Sequence, residues 1–149
     1  MTIWIDADAT PRAVREILVR ASRTRDVPVV FVANRWMRKP KARLASTVTV
    51  GAGEDVADDH IADHCQEGDL VITADIPLAA RAVDAGAKVI TPYGRDLDEE
   101  NVRYALSMRD FKEDLRDAGI DSGGPPPFGE SQKRDFANAL DRWITRSRR

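Results

Sequence analysis

Two aspartates close the first apolar run of the chain, Ile5-Asp6-Ala7-Asp8, and a third closes a later one, Leu70-Val71-Ile72-Thr73-Ala74-Asp75. Carboxylates that follow a strand in this way are hard oxygen donors, the type that selects Mg²⁺ or Mn²⁺ over softer metals. Such an ion lowers the pKa of bound water and stabilises the leaving oxygen of a phosphodiester. More acid follows the third apolar run in Asp55-Val56-Ala57-Asp58-Asp59. Asp55, Asp58 and Asp59 share one helix face at i, i+3 and i+4. Carboxylates gathered in one crevice repel each other, so without a cation some must stay protonated. Asp6, Asp8 and Asp75 are therefore the candidate catalytic residues, with one of the later group expected to join them. The plainer alternative makes Asp8 a helix cap and leaves Asp58 and Asp59 on a solvated face.

A cationic cluster lies elsewhere. Arg35, Arg38, Lys39, Lys41 and Arg43 put five cations into the nine residues 35–43, with Trp36 among them. A basic loop beside a metal crevice suits a nucleic-acid backbone, and an indole there suits stacking on a base. Arg35, Trp36, Arg38, Lys39 and Arg43 are thus candidate nucleic-acid-binding residues; otherwise the loop is solvated and Trp36 packs on the body of the protein. His60 and His64, at i and i+4, have the spacing of two zinc ligands, but no third ligand accompanies them and a surface pair is the simpler reading.

The elements that must position these groups follow from apolar periodicity. Strands are expected at Ile3–Ile5, Val29–Val32, Val48–Val50, Leu70–Ile72 and Val89–Ile90, short and continuous as in parallel sheets covered on both faces. Thr10 is placed to cap a helix opened by Pro11, with Val14, Ile17, Leu18 and Ala21 as its apolar stripe. Further helices are expected near Val56–Gln66 and Pro77–Ala85, the latter stopped by Gly86. Residues 33–47 show no helix. Asp98–Leu106 and Ser107–Ala118 read as two helices, the second opened by a capping box from Ser107 to Asp110. A turn at Gly123-Gly124-Pro125-Pro126-Pro127 follows, then a helix near Gln132–Ile144 and a fraying Arg146–Arg149 tail.

Strands alternating with helices predict one α/β domain over 1–149, a doubly wound parallel sheet of about five strands in the order 3-2-1-4-5. Residues 1–94 would form the sheet core and 95–149 a helical appendage, with its Gly/Pro-rich turn at 123–127. In that order the first and fourth strands adjoin at the switch point, and Asp6 and Asp75 face one crevice.

Composition narrows the setting. The chain has 149 residues, 42% hydrophobic and 32% charged, a normal globular mixture. Lys and Arg number 23 against 25 acids, a net charge of −2, so any nucleic acid must meet a local basic patch. No apolar run approaches a membrane span and no secretion signal is evident. Cys65 has no internal disulfide partner, which points to a reducing cytoplasm.

These motifs together resemble the bacterial YaiI/YqxD family, whose members are placed with PIN-like nuclease folds. The resemblance runs over nearly the whole chain. It is carried by Ile5-Asp6-Ala7-Asp8-Ala9-Thr10-Pro11, Asp55-Val56-Ala57-Asp58, the long stretch from Gly68 to Ala79, Met108-Arg109-Asp110-Phe111 and Gly123-Gly124-Pro125. The family pattern has Cys where this chain has Thr10, which argues against a catalytic thiol. The wider PIN resemblance implies Mg²⁺- or Mn²⁺-dependent cleavage of RNA, single-stranded RNA being the expected partner. It implies metal-ligand roles for Asp6 and Asp75; no motif fixes the third acid, for which Asp58 is taken, and Asp8 joins the candidate metal ligands on its place after the first strand alone. It assigns no chemistry to Arg109 and Asp110.

Three functions compete on these residues: a metal-dependent phosphodiesterase of ribonuclease type, a non-catalytic RNA- or protein-binding module, and a haloacid-dehalogenase-like phosphatase. The last rests on Asp6-x-Asp8-x-Thr10, where the first aspartate would attack phosphate and the second handle the proton. The chain is short for that superfamily, and Thr73-Ala74-Asp75 would have no part in it.

Overall fold

The computed structural model describes residues 1–53, 55–117 and 128–148, with side chains of 109–117 outside the description. The elements are β1 (Ile3–Asp6), a 3₁₀ turn (Ala7–Ala9), α1 (Arg12–Arg25), β2 (Val29–Ala33), β3 (Ala45–Thr49), α2 (Val56–His64), β4 (Leu70–Ile72), α3 (Ile76–Asp84), β5 (Lys88–Ile90), β6 (Asp96–Leu97), α4 (Glu99–Asp117) and α5 (Glu130–Ser147). They form one sheet in the order β3-β2-β1-β4-β5-β6. The first five strands are parallel and follow the expected order, with β1 between β2 and β4.

Strand alternation divides the core into two layers. Ile3 and Ile5 of β1 turn to one face, where Val14 and Leu18 of α1 meet Phe136, Leu140, Trp143 and Ile144 of α5. Trp4 turns to the other face, where Ala57 and Ile61 of α2, Leu78, Ala79 and Ala82 of α3, and Val102 of α4 pack on Val32, Val71 and Val89. Asp6 has the parity of Trp4, so it emerges on the α2–α3 side.

Several local expectations are corrected. A sixth strand, β6, pairs antiparallel with β5 through Val89↔Leu97 and Ile90↔Asp96. Two residues are too short for a periodic signal; the turn at Thr91–Arg95 makes the pairing, through a 2.9 Å bond from Thr91 N to Arg95 O. Gly94 in that turn has φ +84°, and a Cβ there would lie 2.6 Å from the Asp135 backbone, so only glycine lets the turn approach α5. The third strand lies at Ala45–Thr49 rather than Val48–Val50, in register from Val29↔Ala45 to Ala33↔Thr49. As an edge strand it carries Ser46, Thr47 and Thr49, which hide it from an apolar search.

Thr10 does not cap α1. Pro11 holds the cap position, and the Thr10 hydroxyl donates to Asp6 O at 2.7 Å. The two helices expected at 98–118 are one, α4, running unbroken through Ser107. The reciprocal cap sits at its start: Asp98 Oδ1 accepts from Asn101 N at 2.8 Å and Asn101 Oδ1 from Asp98 N at 2.7 Å. α5 runs on to Ser147, and the Arg148 guanidinium donates to Arg25 O and Asp26 O, so the expected fraying does not occur through Arg148. The turn at 123–127 lies outside the described residues, as do the side chains of Arg109 and Asp110. Among the described residues, no helix is long and apolar enough to cross a membrane.

Phe136 is fully buried between α5, α1 and the sheet. Phe136→Ala should cost about 3–5 kcal/mol of folding stability in urea unfolding. A loss below about 1 kcal/mol would mean that α5 is not part of the core.

Candidate functional site

β1 and β4 are paired to their ends, Ile5 opposite Ile72, so the residues after them leave the sheet side by side. Asp6 ends β1, and the 3₁₀ turn together with the Thr10 hydroxyl on its carbonyl fixes the chain beyond it. Asp75 follows β4. Its backbone N–H donates to the hydroxyl of buried Thr73 at 2.9 Å, and its Oδ1 accepts from Leu78 N at 2.9 Å, capping α3. Asp58 reaches the same place from the first turn of α2, where its carboxyl is hydrogen-bonded to that of Asp6.

The electrostatics of these groups follow from crowding. Burial raises the Asp6 pKa above its ordinary value; the Asp58 hydrogen bond opposes this, and the charges of Asp8 and Asp75 add to it. Asp58 is pushed up to about 7, by burial first and then by the charges of Asp75 and Asp6. Two carboxyls that share a hydrogen bond share a proton, so this pair holds one near neutral pH.

The remaining acids separate clearly. Asp8 is exposed, and its Oδ2 accepts from Asn34 N at 2.7 Å, tying the turn after β1 to the end of β2. It is no cap for α1. Asp59 faces away, bonded to Arg81 of α3 at 2.7 Å, and Asp63 stands 3.8 Å from the same guanidinium. Of the group from Asp55 to Asp59, Asp58 therefore enters the crevice, and Asp55 acts on it through charge alone.

Among the described residues, no three His, Cys, Asp or Glu side chains converge closely enough, as they stand, to hold a metal ion. Asp6 and Asp58 hold each other, and Asp75 and Asp8 each accept a hydrogen bond from a backbone N–H. The candidates are all carboxylate oxygens, the donor type that hard divalent ions take.

Asn34 went unnoticed in the sequence. It follows β2 by one residue, its backbone N–H holds Asp8, and its Oδ1 is buried with no hydrogen-bond partner among the described residues. Only the strand register reveals it, because nothing in Ala33-Asn34-Arg35 signals a site.

The basic loop stands at the same edge of the sheet. Met37 packs against the core and Ala42 is buried, which pins the loop, while Trp36 is 80% exposed and does not pack on the body. Arg35, Arg38, Lys39 and Lys41 are exposed and form no ion pair among the described residues; Arg43 stands 3.9 Å from Asp26. His60 and His64 stack on each other with ring centroids 4.0 Å apart, and Trp4 tilts against both at 6.1 Å. They pack α2 on the sheet, and burial beside His64 lowers the His60 pKa. Burial and the charge of Asp69 push the Cys65 thiol up, which removes a thiolate nucleophile from consideration.

Residues 4–146 match the model of a family described as "Uncharacterized BCR, YaiI/YqxD family". The chain belongs to this family. It is 52% identical over 149 residues to the UPF0178 protein of Trichlorobacter lovleyi, covering 100% of this chain and 97% of that one. It is 48% identical over 147 residues to UPF0178 protein Shewmr7_1635 of Shewanella sp. strain MR-7, with 99% and 97% covered. The UPF0178 protein of Maridesulfovibrio salexigens is 49% identical over 147 residues, again with 99% and 97% covered. No solved structure matches.

The raised Asp58 pKa carries a sign that can be measured. Between the ordinary value of 3.8 and about 7, the folded chain holds a proton that the unfolded chain has lost. Stability therefore falls as pH rises through that window, and Asp6 adds in the same direction. Thermal melts in EDTA from pH 4.5 to 8 should show wild type losing ground against Asp58→Asn, which melts higher at pH 8. A difference that is flat, or that grows the other way, contradicts the shared proton.

Proposed function

We propose that this protein is a divalent-metal-dependent phosphodiesterase of the PIN-like kind, acting on single-stranded RNA in the cytoplasm. The observation that carries the reading is the Asp6–Asp58 carboxyl pair, crowded by Asp75 and Asp8 where β1 and β4 end together. A fold does not crowd anions at a strand switch point to its own advantage; the arrangement suits a cation that enters with substrate.

Asp6, Asp58, Asp75 and Asp8 would hold the ion, Mg²⁺ or Mn²⁺. When bound, that ion supplies Lewis-acid activation of water and charge compensation at the phosphate. The residues do the rest. Binding of an ion would displace the proton that Asp58 holds to solvent, so it would be favoured as pH rises. The 3₁₀ turn holds Asp8, and the α3 cap holds Asp75, limiting the reorganisation that loading needs. Arg35, Arg38 and Lys39 lie along the same edge to take backbone phosphates, and the exposed Trp36 offers a face to a base. The phosphatase reading is weaker because it gives no part to Asp58 and Asp75, which crowd Asp6 at the ends of β1 and β4.

Mn²⁺ titration calorimetry should show binding to wild type, and loss of that binding in Asp6→Asn and Asp75→Asn with the fold intact. Unchanged affinity in both variants would remove the metal. Labelled single-stranded RNA should be cleaved by wild type with Mn²⁺ and bound without cleavage by Asp6→Asn. Binding by both with cleavage by neither would leave a non-catalytic RNA-binding module.

The loop generates a separate expectation. For single strands, the slope of log affinity against log salt is about −0.7 per phosphate contact. Replacing Arg35, Arg38 and Lys39 together by Ala should flatten that slope by about 2 and weaken all sequences alike. Trp36→Ala should cost roughly 1–3 kcal/mol of binding with little change in slope. Filter binding at three salt concentrations measures both; an unchanged slope in the triple variant takes the loop out of the interface.

A further inference from the structure

β3 is one edge of the sheet, and its outer side is open. The register with β2 runs from Val29↔Ala45 to Ala33↔Thr49, framed by bonds from Val29 N to Leu44 O at 3.0 Å and from Val50 N to Ala33 O at 2.9 Å. By that alternation Ser46 and Val48 direct their backbone groups to β2, and Thr47 and Thr49 turn theirs outward. Among the described residues, no hydrogen bond reaches the backbone N–H or C=O of Thr47 or Thr49. Ala45 N donates to Ala42 O at 3.1 Å, which leaves the outward Ala45 C=O open. An open edge is a template for another strand, and chains that stay single guard it with charge, proline, a bulge or brevity. The opposite edge is guarded in this way, since β6 has two residues and one is Asp96. β3 is not. Leu44-Ala45-Ser46-Thr47-Val48-Thr49-Val50 has no charge, proline or glycine, and its Thr and Val are residues that strands favour. Ser46 and Thr49 are exposed.

We propose that β3 pairs antiparallel with β3 of a second copy of this chain, around a two-fold axis at Thr47, joining two sheets into one. The edge is complementary to itself. At the axis the two Thr47 residues exchange both N–H···O=C bonds, as directly opposed residues of an antiparallel pair do. Two residues further on, Thr49 N–H meets Ala45 C=O of the second copy, the acceptor that its own chain leaves open. Opposed threonines at the axis add a favourable side-chain pair. The flanking charges match as well. Lys41 and Arg43 precede β3 and Asp55 follows it, all three exposed. An antiparallel partner brings the basic end of one copy to the acidic end of the other, whereas a parallel one sets like against like. Gly51, Ala52 and Gly53 between them are small and exposed. The two acidic crevices then open at opposite ends of the joined sheet.

Sedimentation velocity over a range of concentrations tests this, with no metal needed. Wild type should pass from monomer to dimer as concentration rises. Thr47→Pro removes an outward N–H that β2 does not use, so it should stay monomeric while keeping the far-ultraviolet dichroism of wild type. Thr47→Cys should form an intermolecular disulfide under mild oxidation. Opposed residues of a hydrogen-bonded antiparallel pair have Cα atoms about 5.5 Å apart, within disulfide reach. Thr49→Cys, which faces Ala45 of the second copy, should not cross-link. Wild type that stays monomeric at the highest concentration overturns the inference. A dimer that survives in folded Thr47→Pro overturns it too, as does cross-linking of Thr49→Cys as readily as Thr47→Cys. If Thr47→Pro fails to fold, the two cysteine variants decide alone.

Discussion

Asp6 and Asp58 share a hydrogen bond that only a retained proton makes possible. In water each carboxyl would ionise well below neutral pH, yet burial and the charges of Asp75 and Asp6 hold Asp58 up to about 7. Much of the fold can be read as the means of keeping that pair together. β1 must lie beside β4 so that the strand ends coincide, and α2 must dock with its first turn over the same edge. The 3₁₀ turn after β1 and the Asp75 cap on α3 then fix the two chains that leave the sheet there. An acid cluster of this kind costs the folded chain stability as pH rises.

The two faces of the sheet divide the work. The α1–α5 face is apolar, with Ile3, Ile5, Phe31, Leu70 and Ile72 meeting Leu18, Phe136 and Ile144. It supplies most of the burial and holds the strands in register. The α2–α3 face carries the acids, because the alternation that turns Ile5 inward turns Asp6 the other way. One-residue slippage of β1 would bury Asp6 in the α1–α5 core, so the hydrophobic face itself specifies where the carboxyl emerges.

What could be read from the sequence was what local pattern encodes. β1 and β4 stand out as continuous apolar runs that end in aspartate, and the order 3-2-1-4-5 follows from alternation with helices. Ser46, Thr47 and Thr49 disguised β3, because an edge strand needs less apolar cover, and the two residues of β6 carry no period. Ser107 read as a cap only because Asp98 and Asn101, the cap that forms, resemble an ordinary polar stretch. The choice of Asp58 over Asp59 depends on how α2 is rotated, which Arg81 of α3 settles by taking Asp59. Asn34 required the register of β2 on β1.

Asp69 shows what a carboxylate in this chain looks like when it is structural. It is only 2% exposed, yet Oδ1 accepts from Thr2 N at 2.9 Å while Oδ2 accepts from Trp4 Nε1 and Gln66 N, both at 3.1 Å. Three donors satisfy its two oxygens, at the opposite end of the same strands from the crevice. Asp6 and Asp58 are less buried and have each other instead. The contrast argues that the crevice is not simply a place where acid was tolerated, since the fold satisfies an acid fully where it needs one for stability. The two ends are also coupled mechanically. Asp69 holds the Trp4 indole, Trp4 lies against the stacked rings of His60 and His64, and those rings sit on α2, the helix that delivers Asp58. The carboxylate held by three donors at one edge thus helps to place the crowded one at the other.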